Sequence, residues 1–161
     1  MTAILSKCRR YRYQLRREVD MFSDQVYAYF GINPSTADEN VDDATVRRWI
    51  GFTERFNGRC FIVGNAFAYR ATDVNKLASA IDPVGPDNNK NIMDIIDQAD
   101  ILVPCWGSKN KIPKKLHSRL DEVMCLLKES GKPVKSFGFT GSGDPKHPLM
   151  LSYKTKLIDV K

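Results

Sequence analysis

Short unbroken apolar runs alternate with longer helical stripes along most of the chain. The clearest run is Gln25 to Ile32, where Val26, Tyr27, Ala28, Tyr29 and Phe30 follow one another without a polar break. That is the pattern of a strand buried on both faces. Asn33-Pro34 ends it, because Pro34 has no amide hydrogen to give and restricts the residue before it. With Asp42 or Asp43 as cap, Val46, Trp49, Ile50, Thr53 and Phe56 recur on one helical face up to Asn57-Gly58. Trp49 belongs to that buried stripe, and Arg47, Arg48 and Arg55 fall off it into solvent. Residues 59–64, RCFIVG, repeat the buried-strand pattern. A short helix is expected from Asp73 to Ala80. A turn cluster over 82–89 leads into a helix capped by Asn88 or Asn89, with Ile92, Ile95, Ile96 and Ala99 inward. Ile101 to Trp106 predicts a third strand with a bulge or ladder end at Pro104. Pro113 opens a helix whose stripe is Leu116, Leu120, Val123, Met124 and Leu127, stopped by Gly131. Val134 to Phe139 predicts a fourth strand, and residues 150–161 carry no assignable pattern.

Residues 8–17, CRRYRYQLRR, alternate Tyr11, Tyr13 and Leu15 against Arg10, Arg12, Gln14 and Arg16. Period two makes this a half-buried strand at a sheet edge, turned back onto the central strand by Asp20 to Asp24. Its arginines serve either as edge protection, slightly the favoured reading, or as phosphate contacts. The order β, β, α, β, α, α, β, α, β describes one α/β domain over 1–161. Its expected architecture is a three-layer α/β/α sandwich on a mostly parallel sheet, about four parallel strands plus the N-terminal edge strand.

Composition adds limits. The chain has 161 residues, 42% hydrophobic and 27% charged, ordinary for one globular domain. No apolar run is long enough to span a membrane, and the N-terminus lacks a signal-peptide core, so a cytoplasmic protein without membrane contact is expected. Cys8, Cys60, Cys105 and Cys125 form no CxxC pair. Buried free thiols are expected, with neither disulfides, nor metal, nor cofactor. The net charge of +6 is uneven: residues 1–17 carry +6, residues 18–100 carry −7 and residues 101–161 carry +7. If both basic ends share a face, that face attracts phosphate. Arg10, Arg12, Tyr13, Lys109, Lys111 and Lys146 are the candidate nucleic-acid contacts.

In a parallel sheet the strand exits share one rim. This rim collects Asn33, Pro34, Ser35 and Thr36, then Asn65, Phe67, Tyr69 and Arg70, then Trp106 and Gly107, and His147 from the last loop. Carboxamides read donor and acceptor edges, aromatics stack and glycine allows close approach, a set suited to a planar heterocycle. No GxxxxGK[ST], no GxGxxG after the first strand and no GxSxG occurs.

The blocks RRYRYQLRR (9–17), GINPSTAD (31–38), DDATVRR (42–48), NAFAYRATD (65–73), DPVGPDN (82–88), WG (106–107) and GDPKHPL (143–149) resemble the family called domain of unknown function 1643. More distantly, Gly-x-Asn-Pro after one buried strand, Asn after the next and His-Pro on the last loop resemble the uracil-DNA glycosylase superfamily. That resemblance implies a base pocket at the strand exits. It implies that Asn33 positions an attacking water, Asn65 reads the pyrimidine edge and His147 stabilises the departing base. Ser35 replaces a usual glycine of that pattern, Leu149-Met150 replaces its polar continuation, and no acid stands in the first motif. Two functions stay open. One is hydrolysis of an N-glycosidic bond in DNA or a nucleotide, with Asn33 and His147 catalytic. The other is a non-catalytic module that binds a nucleotide or nucleic acid.

Overall fold

A computed structural model describes all residues, 1–161. The chain runs β1 (Thr2–Leu5), β2 (Arg12–Glu18), β3 (Gln25–Gly31), α1 (Ala44–Arg55), β4 (Gly58–Asn65), α2 (Val74–Ser79), α3 (Asn88–Gln98), β5 (Ile101–Pro104), α4 (His117–Glu129), β6 (Lys135–Ser136) and β7 (Ile158–Asp159). Strands β1 to β5 form one sheet in the order β1-β2-β4-β3-β5.

The sheet is mixed. β3 pairs in parallel with β4 and β5, as two β-helix-β crossovers require, but β2 runs antiparallel to both β1 and β4. The expected fourth parallel strand is reduced to a single bridge between Val134 and Leu102. Directly after that bridge β6 pairs antiparallel with β7 in a separate two-stranded sheet, and Gly138, whose φ is +103°, follows it. Pro104 does end its ladder.

β2 is not the edge strand. The edge belongs to Thr2–Leu5, and the β1–β2 hairpin replaces the expected β2–β3 return. Residues 19–24 instead carry the chain past the place filled by β4. An inner position explains why Arg12 and Arg17 are only 3% and 1% exposed rather than forming a solvated arginine face.

Alternation along the central strands divides the core. Tyr27, Tyr29, Phe61, Val63 and Leu15 face α1, and Ala28, Phe30, Ile62 and Leu102 face α3 and α4. On the α1 side Tyr29 stacks on Trp49 at 5.6 Å, and its hydroxyl bonds the Thr53 hydroxyl at 2.9 Å. Such pairing satisfies a polar atom inside an apolar layer. Asp43 caps α1 through Val46 N at 2.9 Å, and Asp73 caps α2 through Asn75 N at 2.8 Å. The cap residue of α3 is Asp87, one position before the asparagines expected there. All four cysteines are free: Cys60 is buried in β4 and Cys105 at the end of β5, Cys8 is exposed, and Cys125 is exposed on α4 although that helix is amphipathic.

The C-terminal segment is fixed by residues expected to be solvated. Arg48 donates to the Leu151 carbonyl and lies over the Tyr153 ring at 3.8 Å, and Arg55 lies over the same ring at 4.0 Å. His117, also expected in solvent, bonds the Ile112 carbonyl through Nε2 at 3.1 Å. No helix is long and apolar enough to cross a membrane.

Candidate functional site

The exits of β3, β4 and β5 do lie on one rim, but the candidate residues there divide between two depressions. Gly107 and His147 meet in the first. Gly107 has a φ of +80° and donates its amide to the Pro145 carbonyl at 2.8 Å, which draws the last loop against the end of β5. A Cβ on Gly107 would lie 3.3 Å from the Cβ of His147, so both backbone and space call for glycine.

The resulting cavity holds about 420 Å³, within the range of small-ligand sites. Trp106, mostly buried, gives part of one wall. Ile32, Leu149, Met150 and Leu151 give the apolar remainder, and Lys111 and Lys146 stand at the opening with Ser108 and Thr140. No carboxylate lines it. Met150 is 90% exposed, so the lip is apolar and open to solvent.

His147 is the titratable group of this cavity. Its Nδ1 accepts the Leu149 amide at 3.2 Å, which places the proton of the neutral ring on Nε2. Burial holds its pKa below the ordinary histidine value; Asp43 pulls the other way and Lys111 adds to the depression. The ring is therefore neutral at pH 7, with Nε2–H free of any protein partner.

Asn33 lines neither wall of that cavity. Its Nδ2 donates to the carbonyls of Ala71 at 2.8 Å, Pro34 at 3.1 Å and Tyr69 at 3.4 Å, which ties the loop after β3 to the loop after β4. Only Oδ1 is left uncommitted. The bonded loop walls the second depression, lined by Ser35, Tyr69, Arg70, Ala71, Thr72 and Lys76. Pro34 is buried beneath it, and Thr36 is exposed.

Asn65 is 3% exposed, and its Nδ2 has no hydrogen-bond partner. It sits opposite Gly31 on the neighbouring strand, where an added Cβ would come 2.9 Å from Asn65 Oδ1. Phe67 is 2% exposed within the core cluster, so its ring faces no depression.

The candidate phosphate contacts fare unequally. Lys111 and Lys146 reach the His147 cavity. Arg10 is exposed in the hairpin turn, and its carbonyl accepts the Arg70 amide at 2.9 Å. Lys109 is paired with Asp121 at 2.8 Å. Arg12 and Tyr13 are buried and cannot meet a polyanion at the surface: Arg12 Nη1 donates to the Ala37 carbonyl at 2.6 Å, and Tyr13 stacks on Tyr11. Sequence reasoning missed Leu149 to Leu151 as cavity wall. Their signal was the apolar triplet after His147-Pro148, which has no place in a helix or strand.

No curated protein and no solved structure gave a match. The chain matches, over residues 12–149, the family described as "Protein of unknown function (DUF1643)". That span takes in Gly107, His147 and the second depression, while Met150 and Leu151 of the first lie just beyond it, and the chain belongs to this family.

Proposed function

We propose that the protein binds a nucleotide, free or within a nucleic acid, in the cavity between Gly107 and His147. The observation that carries this reading is the composition of one concave site. A neutral histidine donor, a tryptophan and two lysines line it, and no carboxylate is among its lining residues. The apolar wall suits a base, Nε2–H of His147 suits an acceptor on its edge, and Lys111 and Lys146 suit the phosphate. Isothermal titration with mononucleotides and with short single-stranded DNA tests it. Binding that weakens with salt and is lost in a Lys111→Ala/Lys146→Ala protein is expected; equal heats from both proteins would overturn it.

N-glycosidic hydrolysis on a uracil-DNA glycosylase-like fold is the second reading. One observation favours it: Nε2–H of His147 is free to stabilise a departing base anion. The other requirement, a placed water, would fall to Asn33 Oδ1, since Nδ2 is spent on three carbonyls. A neutral carboxamide oxygen orients water but takes no proton from it, so binding without turnover is the better-supported function. Incubation with uracil-, modified-base- and mismatch-containing DNA separates the two. Released base that disappears in His147→Ala would establish hydrolysis.

A further inference from the structure

Ser108, in the loop after β5, and Thr140, Ser142 and Asp144, in the last loop, form one hydrogen-bonded chain of side chains. Asp144 is only 3% exposed, and its Oδ2 accepts both the Lys109 amide at 2.9 Å and the Ser142 hydroxyl at 2.8 Å. Ser142 Oγ in turn lies 3.2 Å from Ser108 Oγ and 3.0 Å from Thr140 Oγ1. The turn over 140–144 is closed by its own backbone: Thr140 N donates to the Asp144 carbonyl at 2.8 Å, and Gly143 N to the Thr140 carbonyl at 2.9 Å.

Direction in this chain is set at Asp144. A carboxylate only accepts, so the single hydroxyl hydrogen of Ser142 goes to Oδ2. Ser142 then has only lone pairs left, and both Ser108 and Thr140 must donate to it. Their oxygens also accept backbone amides, Ser108 from Asn110 at 3.3 Å and Thr140 from Asp144 at 3.2 Å. One lone pair on each remains. Ser108 and Thr140 line the Gly107–His147 cavity, whereas Ser142 and Asp144 do not. The two hydroxyls therefore offer a ligand acceptors and no hydrogen.

We infer that this cavity selects bases bearing an exocyclic amine, read by Ser108 and Thr140, with Ser142 and Asp144 as positioning residues. The inference rests on the nucleotide reading of the cavity. An amino group has two hydrogens, one for each hydroxyl oxygen, and Nε2–H of His147 meets the ring nitrogen beside it. A carbonyl in place of the amine sets lone pairs against lone pairs, and the ring N–H that accompanies it faces Nε2–H. Adenine is thus favoured over hypoxanthine and cytosine over uracil, although each pair is nearly equal in size and charge.

Isothermal titration tests it by comparing adenosine with inosine monophosphate and cytidine with uridine monophosphate. The amino member of each pair is expected to bind about tenfold more tightly. Ser142 is exposed and outside the cavity lining, and Ser142→Ala frees the Ser108 and Thr140 hydrogens to turn toward the ligand. That variant is expected to bring both ratios close to one, chiefly by strengthening the carbonyl members; a merely structural loss weakens both members of a pair alike and leaves the ratios unmoved. Equal affinities within each pair in the unaltered protein would overturn the inference and leave the nucleotide reading standing. Ratios that Ser142→Ala does not move would overturn it as well. No binding of any of the four nucleotides would overturn both the inference and the reading beneath it.

Discussion

Arg12 and Arg17, in a single strand, hold neighbouring carbonyls of one loop. Arg12 Nη1 donates to the Ala37 carbonyl at 2.6 Å, and Arg17 donates Nε to Asp42 at 2.7 Å and Nη2 to the Asp38 carbonyl at 2.5 Å. Residues five apart in a regular strand point to opposite faces. Here the pairing steps from Ile4–Gln14 to Leu5–Arg12 and leaves Tyr13 without a partner on β1. That one-residue slip is what lets both side chains reach the loop that joins β3 to α1.

Arg17→Met is expected to destabilise the fold by about 2–4 kcal/mol, because it strands Asp42 and the Asp38 carbonyl beside an apolar side chain. Arg17→Lys keeps the charge but not the fork of donors and recovers only part of that loss. Chemical denaturation of the two variants checks the order. Equal stability of Arg17→Met and the unaltered protein would show that the loop holds without its clamp.

Arg48 links α1 to the cavity lip through the Leu151 carbonyl and the Tyr153 ring. Arg48→Ala is expected to leave the core intact, raise amide exchange across residues 148–153 and weaken ligand binding several-fold, with about 1–2 kcal/mol lost from global stability. Unchanged exchange in that segment would contradict the assignment.

Stability should fall on acidification in part through His147. Its folded-state pKa is depressed, chiefly by burial. Below an ordinary value of about 6.5 the unfolded chain takes up a proton that the folded chain does not, so stability present above that pH is lost as pH falls toward the folded value. The Asp38 carboxylate acts in the same sense at lower pH, held down by the Asn40 amide. Melting temperature followed from pH 7 to 5 is expected to decline more steeply in the unaltered protein than in His147→Ala. Parallel curves would contradict this.

Alkylation should rank the four thiols. Cys8 is exposed and its pKa is lowered by the Ser6 hydroxyl, so it reacts first. Cys125 is exposed but raised by Glu129. Buried Cys60 is raised by desolvation, and burial pushes Cys105 up to about 12. Mass spectrometry of a brief iodoacetamide pulse is expected to find label on Cys8, less on Cys125 and none on the buried pair. Label on Cys105 in folded protein would show that the α1 face opens.

The pattern of apolar residues was enough to place β3, β4, β5 and the long helices, because each buries a strong periodic stripe. It could not place β1, since Thr2–Leu5 is too short to show a period, and so the partner of β2 and the sense of half the sheet stayed hidden. Val134 to Phe139 read as a strand by its side chains, yet after one bridge at Val134 its next residues pair with β7 instead. On the rim, residue type was a guide only where the backbone left the side chain free. His147 and Gly107 meet at the strand exits, whereas Asn33 spends its amide on three carbonyls that no sequence pattern announces. Arg12 looked solvent-facing because a one-residue register slip is silent in the sequence.

The most direct test of the account is a two-dimensional NMR titration of the protein with mononucleotides, following the His147 imidazole and Trp106 indole nitrogens. Saturable shifts at both, with those of Ser35 and Arg70 unmoved and the response lost in Lys111→Ala/Lys146→Ala, are predicted. His147 and Trp106 resonances that stay fixed at millimolar nucleotide, or shifts confined to the Ser35–Arg70 depression, would contradict it.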